Sequence, residues 1–367
     1  MQYDVVIAGG SLAGLAAATH SARKGARTLL IDSKPDLAAF KCAEGVMEEH
    51  LSRAGFVPSA DCVALGLARF RLVSPSGLAI DVRSRYYKML ILDRAAFQRS
   101  ILRMALDAGC EVRHPVRARR LDLMGGTLQL GNGEEVTART FIDATGTQAA
   151  LGRQCGLARL EQDELTLVAQ WTMFAEGLEE DRFELLFGGP HHSPAGYSWV
   201  FPKGNGLFNI GSGGVASQIA KGEPIRRRVE SFIKDRVPRP GKRLRYIVSF
   251  LPSCRPVERP VIRAGDRTLM LAGDAARLCL PSISAGIASA LCSGRWAGEN
   301  WASPDKYEQV LRRELYPRLD RSYRFKQRNL SDRAIESVFR WRIRPMDYLH
   351  RLVPRPLERM AVDMLGF

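Results

Sequence analysis

Apolar and polar positions along the first thirty residues lay out a β-α-β unit. Residues 3–8 (Tyr-Asp-Val-Val-Ile-Ala) form a short apolar run that stops at Gly9-Gly10, as a buried parallel strand does. Leu12 to Lys24 is alanine-rich and reads as a helix closed by Gly25, and Thr28–Ile31 is a second apolar run ending at Asp32. Asp93 to Leu106 carries apolar residues at helical spacing (Ala96, Phe97, Ile101, Leu102, Ala105), and Phe141-Ile142-Asp143 ends another strand. From Glu164 to Leu251 the pattern changes to short β-like runs separated by turns such as Gly188-Gly189-Pro190 and Lys203-Gly204-Asn205-Gly206. Apolar Thr268–Ala272 then runs into Gly273-Asp274, Gly286–Trp296 reads as a helix, and the chain beyond Trp301 reads as helical and basic to its end. The expected architecture is α/β: a Rossmann-like domain assembled from residues 1–65, 93–155 and 261–300, and a β-rich domain from 66–92 and 156–260 that covers a pocket. A basic helical C-terminal region, 301–367, follows.

Composition narrows the function classes. Hydrophobic residues make up 46% and charged residues 25%, which is globular rather than disordered. No run approaches the ~18 apolar residues of a membrane span, and Met1-Gln2-Tyr3-Asp4 enters the first strand without room for a signal peptide, so cytoplasm is the expected compartment. The seven cysteines include no C-x-x-C pair, which argues against a zinc site or a disulfide framework. The net charge of +15 fits a solvated basic surface, and no nucleic-acid-binding motif accompanies it, so no nucleic acid is expected as a partner. Residues 318–367 hold 12 Lys+Arg against 6 Asp+Glu, interleaved with Tyr323, Phe325, Phe339, Trp341, Tyr348 and Leu349. Such a tail suits a peripheral contact with an anionic membrane at its inner face, and suits an amphipathic packing helix equally well.

Three separated stretches then point to FAD. Gly9-Gly10-Ser11-Leu12-Ala13-Gly14 lies between the first strand and helix, where a dinucleotide turn needs Gly9 for the bend and Gly14 for close helix packing. Ser11 takes the place of the middle glycine, and its hydroxyl can donate to a phosphate set at the helix N-terminus. Asp32, 23 residues after Gly9, is placed to hold the adenosine ribose. Gly273-Asp274 ends an apolar strand with a carboxylate that can meet ribityl hydroxyls, and Arg94 opens a helix with a guanidinium that can bond a phosphate or ribityl oxygen. A nicotinamide enzyme would need only the first of these.

With those residues in view, the sequence resembles the geranylgeranyl reductase family of flavoproteins. Pro194-Ala195-Gly196-Tyr197-Ser198-Trp199-Val200-Phe201-Pro202-Lys203 matches that family's P-x-x-Y-x-W-x-F-P-K at every fixed position, and Cys42-Ala43-Glu44-Gly45 is similar to its C-[AG]-E-G segment. The resemblance covers residues 3 to 300. It implies an aromatic-hydroxylase-like FAD fold, reduction of C=C bonds in an isoprenoid chain, and cofactor contacts at Ala13, Asp32, Cys42, Ala43, Gly45, Arg94, Ala118, Asp274, Gly286 and Ile287. Two departures bear on the substrate: Ser284-Ala285 stand where the family has Gly-Glu, and Asp143-Ala144-Thr145-Gly146 replaces an adjacent Asp-Gly.

Independently of the resemblance, Tyr197, Trp199 and Phe201 alternate along a strand and so face one side, an aromatic wall suited to a long apolar chain. The expected protein is therefore an FAD-dependent reductase acting on an isoprenoid or similar apolar lipid. Cys42, Glu44 and Tyr197 are the unranked candidates for proton donor. NADPH or a small redox protein would be the transient electron donor, since no second dinucleotide fold is present. The alternatives are an FAD monooxygenase acting on an aromatic or quinone ring, and a basic membrane- or nucleic-acid-associated protein with a vestigial flavin fold.

Overall fold

The computed structural model describes residues 2–84, 87–188 and 196–343. Pro194 and Ala195 of the ten-residue signature, and Tyr348 and Leu349 of the tail, lie outside the described residues.

The expected β-α-β unit forms as β1 (Val5–Ala8), α1 (Leu12–Arg23) and β2 (Thr28–Ile31). β1 pairs in parallel with β2 on one side and with β3 (Thr140–Asp143) on the other. The six-stranded sheet runs Val261–Ala264, Arg267–Leu271, β3, β1, β2, Glu111–Arg113, with only the first pairing antiparallel. Every residue of β1, β2 and β3 is buried, because helices cover both faces. α2 (Glu48–Ala54) is short, and α3 (Arg94–Asp107) starts one residue later than its pattern suggests. Asp93 is its N-cap, and its carboxylate accepts from the Ala96 N–H at 2.8 Å.

The second sheet has seven strands. β4 (Leu165–Glu176), β5 (Tyr197–Gly204), β6 (Leu207–Val215) and β7 (Arg239–Pro252) supply most of its area. Their order is β7, β4, β6, β5, followed by Arg182–Phe187, Arg69–Val73 and Ala79–Arg83. The strands are longer than the expected short runs, and a helix the periodicity reading missed, α4 (Ile225–Arg236), packs Val229, Phe232 and Ile233 on the sheet's outer side. Its apolar residues are few among basic ones, which hid the stripe.

α5 (Ile287–Glu299) lies against α1 so closely that a Cβ at Gly294 would meet the carbonyl of Ala13. Then follow α6 (Pro304–Glu314), α7 (Tyr316–Arg328) and α8 (Asp332–Val338), with a final π-turn at Phe339–Ile343. Tyr307, Leu311 and Leu319 enter the main core, while Phe339 and Ile343 enter the core beside the second sheet. The described part of the tail is thus an amphipathic packing element, with Trp341 left 79% exposed. No described helix is long and apolar enough to cross a membrane.

Candidate active site

The parallel strands of the first sheet end together, and the loops after β1, β2, β3 and Arg267–Leu271 open on one cavity of about 880 Å³. Gly9 turns the chain out of β1 at φ +105°, and a Cβ there would strike the Ala144 carbonyl. A Cβ at Gly14 would fall inside the Gly9 carbonyl, so only glycine lets α1 begin this close to the strand. The Asp32 carboxylate accepts from the N–H of Gly10 at 2.5 Å and of Lys34 at 2.7 Å, fixing the turn from the end of β2. Ser11 stands at the α1 N-cap without bonding the helix through its hydroxyl, and it lines the cavity with Ala13. The free N–H groups of that helix start face the same space and suit an anion. Asp143 accepts from Thr145 N and Oγ1, Leu151 N and Gly152 N, so the departing Asp-Ala-Thr-Gly stretch folds around its own buried carboxylate.

Arg94 is 4% exposed and lines the cavity. Its Nη1 donates to Gln98 Oε1 at 2.6 Å, while the Gln98 amide donates to the carbonyls of Gly10 (3.2 Å) and Leu37. Its Nε is buried with no acceptor among the described residues, an orphaned donor of the kind a bound group satisfies. Across the cavity, burial pushes the Asp274 carboxyl up to about 6, with no hydrogen bond or charge among the described residues offsetting it. A cation and a helix start for phosphates, with two carboxylates for hydroxyls, match the polar demands of FAD. Ala118 lines the cavity's far end beside Arg117 and Arg119.

The segment Cys42–Gly45 is clamped to the second sheet. Gln170 on β4 donates to the Cys42 carbonyl at 3.1 Å, and Asn209 on β6 donates to the Ala43 carbonyl at 3.2 Å and to Glu44 Oε2 at 2.5 Å. Lys203, the last residue of the ten-residue signature, donates to the same Glu44 oxygen, and the Arg94 N–H reaches the other at 3.4 Å. Glu44 holds φ +73°, a left-handed conformation kept in place by these bonds. The three proton-donor candidates all line the cavity, in different states. Glu44 is held in a buried ion pair. Tyr197 donates its hydroxyl to the Ile283 carbonyl at 2.5 Å, and burial raises its phenol. Cys42 accepts from the Glu44 N–H at 3.2 Å, and burial raises its thiol, keeping the proton on sulfur.

Tyr197, Trp199 and Phe201 line the cavity from β5 in one row, their successive ring centroids 5.8 and 6.3 Å apart. The row also belongs to the core cluster with Phe183 and Leu185, so it is cavity wall and core at once. Trp199 fits because Gly211 faces it across the ladder, where a Cβ would overlap the indole. The Trp199 Nε1 donates to Gln170 Oε1 at 3.1 Å. Opposite lies the loop 281–287. It is closed by the Leu280 N–H on the Ala285 carbonyl at 2.9 Å, with Ser284 left-handed at φ +52°. Gly286 and Ile287 line the cavity and start α5.

Gln98, Gln170 and Asn209 were not singled out in the sequence. Their signal is a lone amide inside an apolar run, as in Val168-Ala169-Gln170-Trp171 and Leu207-Phe208-Asn209-Ile210, since a buried amide in a strand must find partners.

The sequence model of the geranylgeranyl reductase catalytic domain matches residues 164–250, and that of FAD dependent oxidoreductases matches 4–37. Digeranylgeranylglycerophospholipid reductase 1 of Methanopyrus kandleri is 34% identical over 311 residues, spanning 82% of this chain and 80% of that protein. The enzyme of the same name from Methanoculleus marisnigri is 31% identical over 81% of this chain and 76% of its own length. Among solved structures, a geranylgeranyl bacteriochlorophyll reductase-like protein from Thermoplasma acidophilum superposes with a TM-score of 0.82 at 24% identity, covering 96% of this chain and 99% of that one. A flavin-dependent brominase superposes at 0.68 with 17% identity, covering 100% and 94%. The fold is therefore common to several flavin chemistries, and it is the sequence likeness that selects among them.

Proposed function

The chain belongs to the geranylgeranyl reductase family of FAD-dependent oxidoreductases, and on that premise we propose that it saturates C=C bonds in the polyprenyl chain of a glycerophospholipid. The observation that carries this reading is the row Tyr197, Trp199 and Phe201 in the same cavity as the dinucleotide turn, Arg94 and Asp274. When bound, reduced FAD supplies a hydride.

The chain's own residues hold, dry and orient. Gly9, Ser11, Ala13 and Gly14 would seat the pyrophosphate, Asp32 the adenosine ribose, and Ala118 the adenine end. Arg94 and Asp274 would meet the ribityl and phosphate oxygens, with Cys42, Ala43, Gly45, Gly286 and Ile287 bordering the ring. The aromatic row would align the apolar chain and exclude water. Of the three proton-donor candidates, Cys42 is favoured, because it keeps a proton and faces the cavity while Glu44 and Tyr197 are engaged elsewhere. The six-stranded and seven-stranded sheets support a reading of the chain as an FAD-binding and a β-rich substrate domain.

An apolar lipid substrate and a redox donor are required by such a reaction. We read the donor as NADPH or a small redox protein that binds transiently. Peripheral membrane contact through the C-terminal region is supported by exposed Trp341 amid arginines.

The test is anaerobic. FAD-loaded protein is photoreduced, then mixed with a geranylgeranylated glycerophospholipid, with its saturated analogue, or with oxygen and an aromatic acceptor. In the absence of oxygen, flavin reoxidation by the unsaturated but not the saturated lipid, with two hydrogens gained per bond, is expected. Reoxidation only by oxygen, with a hydroxylated product, would replace the reductase with a monooxygenase.

A further inference from the structure

Lys326 is buried on α7, and no carboxylate among the described residues pairs with it. Its Nζ donates to the Ser253 carbonyl at 3.1 Å and to Ser253 Oγ at 2.6 Å. Ser253 in turn donates its hydroxyl to the Pro281 carbonyl at 3.2 Å. One turn earlier on the same helix, Ser322 accepts from the Ser282 N–H at 3.0 Å, and the two serine hydroxyls lie 2.8 Å apart. Of the three serines in these contacts, Ser253 and Ser322 are buried and Ser282 is half-buried.

The two contacts grip neighbouring residues at the start of one loop. Pro281 is held through its carbonyl, Ser282 through its N–H and hydroxyl, Ile283 through its carbonyl by Tyr197, and Ala285 through its carbonyl by Leu280. The loop needs such pins because Ser284 sits at φ +52°, a left-handed conformation that strains a non-glycine residue. A buried ammonium with no carboxylate paired to it among the described residues is itself costly, and that burial holds the Lys326 amine down at about 8. These two costs meeting at one loop mark it as a shape the fold maintains, rather than one it relaxes into.

We propose that α7 is the positioning element of the cofactor loop: Lys326, through Ser253, and Ser322 fix Pro281-Ser282 so that Gly286-Ile287 present their backbone to the flavin. The proposal rests on the reading of 281–287 as flavin-facing. Lys326 and Ser322 touch no reacting atom, and they act through the loop.

The test uses Lys326→Met and Ser322→Ala, with Gly286→Val as a control on the loop itself. Each full-length protein is stripped of FAD and reconstituted, and FAD Kd, the visible spectrum of bound flavin and the melting temperature of both forms are measured. Methionine keeps an unbranched chain one atom shorter than lysine and buries no charge, so cofactor-free Lys326→Met should melt no earlier than wild type. Its FAD Kd should nevertheless rise at least tenfold, with a shifted flavin spectrum. Ser322→Ala removes two contacts at little cost in volume and should shift Kd and spectrum in the same direction by a smaller factor. Wild-type Kd and spectrum in both variants, with Gly286→Val unable to hold FAD, would overturn the positioning role while leaving the loop reading intact. Wild-type FAD binding in Gly286→Val would instead overturn the reading of the loop.

Discussion

Glu44 and Lys203, 159 residues apart in the chain, form a buried ion pair that ties the Cys42–Gly45 segment to the end of β5. The two residues are the charged members of the two family-like motifs, so those motifs are one structural unit. Lys203→Met would leave the Glu44 carboxylate buried with only the Asn209 amide and the Arg94 N–H. Loss of one partner of a buried pair costs about 3–5 kcal/mol, so a marked drop in denaturant midpoint is expected. Adding Glu44→Gln should restore part of it. A double variant no more stable than Lys203→Met would contradict the pairing.

Gly14→Val should abolish FAD binding, because the new side chain must displace the Gly9 carbonyl and with it the whole start of α1. Flavin absorbance after gel filtration reports it, and full occupancy would refute the assignment of this turn.

Trp199→Ala separates cavity wall from core. Loss of a large buried aromatic costs ~3–5 kcal/mol in a packed core, but here one side of the indole faces the cavity. Lipid turnover should therefore fall by more than tenfold while flavin content holds. An early-melting protein with normal lipid turnover would remove the wall from the mechanism.

Asp274 predicts a trade between stability and cofactor affinity. Its folded-state pKa, about 6, lies above the open-chain 3.8 because burial disfavours the charge. Between those values the folded cofactor-free protein binds more protons than the unfolded chain, so stability falls as pH rises through them and stays low above. Asp274→Asn should therefore stabilise cofactor-free protein at pH 7 by up to roughly 3 kcal/mol, seen as a higher melting temperature, have little effect below pH 4, and weaken FAD binding. A lower melting temperature at pH 7 would show that the carboxylate is stabilised by a partner.

Ser284 stands in a conformation glycine adopts without strain. Ser284→Gly should bind FAD at least as tightly as wild type, the relief of strain roughly offsetting the added chain entropy of ~0.5–1 kcal/mol. Ser284→Val, β-branched at positive φ, should lose both stability and flavin. Equal melting temperatures for the Val and Gly variants would argue that the loop adjusts freely.

Much of the cofactor end was legible because its residues are local: Gly9, Gly14 and Asp32 fall inside one β-α-β unit, and backbone geometry dictates their type and spacing. Tyr197, Trp199 and Phe201 were legible because strand alternation alone puts them on one face. What holds these pieces together was not. Gln98, Gln170, Asn209 and Lys326 act over separations of 61 to 166 residues, and no local pattern encodes which distant carbonyl an amide will meet. The role of Glu44 was hidden for the same reason, since its partner lies on another sheet. Helix α4 went unread because its apolar residues are few among arginines.

The single hollow of about 880 Å³ that carries both the phosphate-facing turn and the aromatic row also sets an order of assembly. Because the turn and the row line one continuous cavity, an apolar chain bound along the row would also reach toward the dinucleotide turn. Lipid and flavin are then rivals for the newly made chain and companions once the flavin is seated, and a membrane-rich extract should slow reconstitution of the stripped protein while leaving the loaded one untouched.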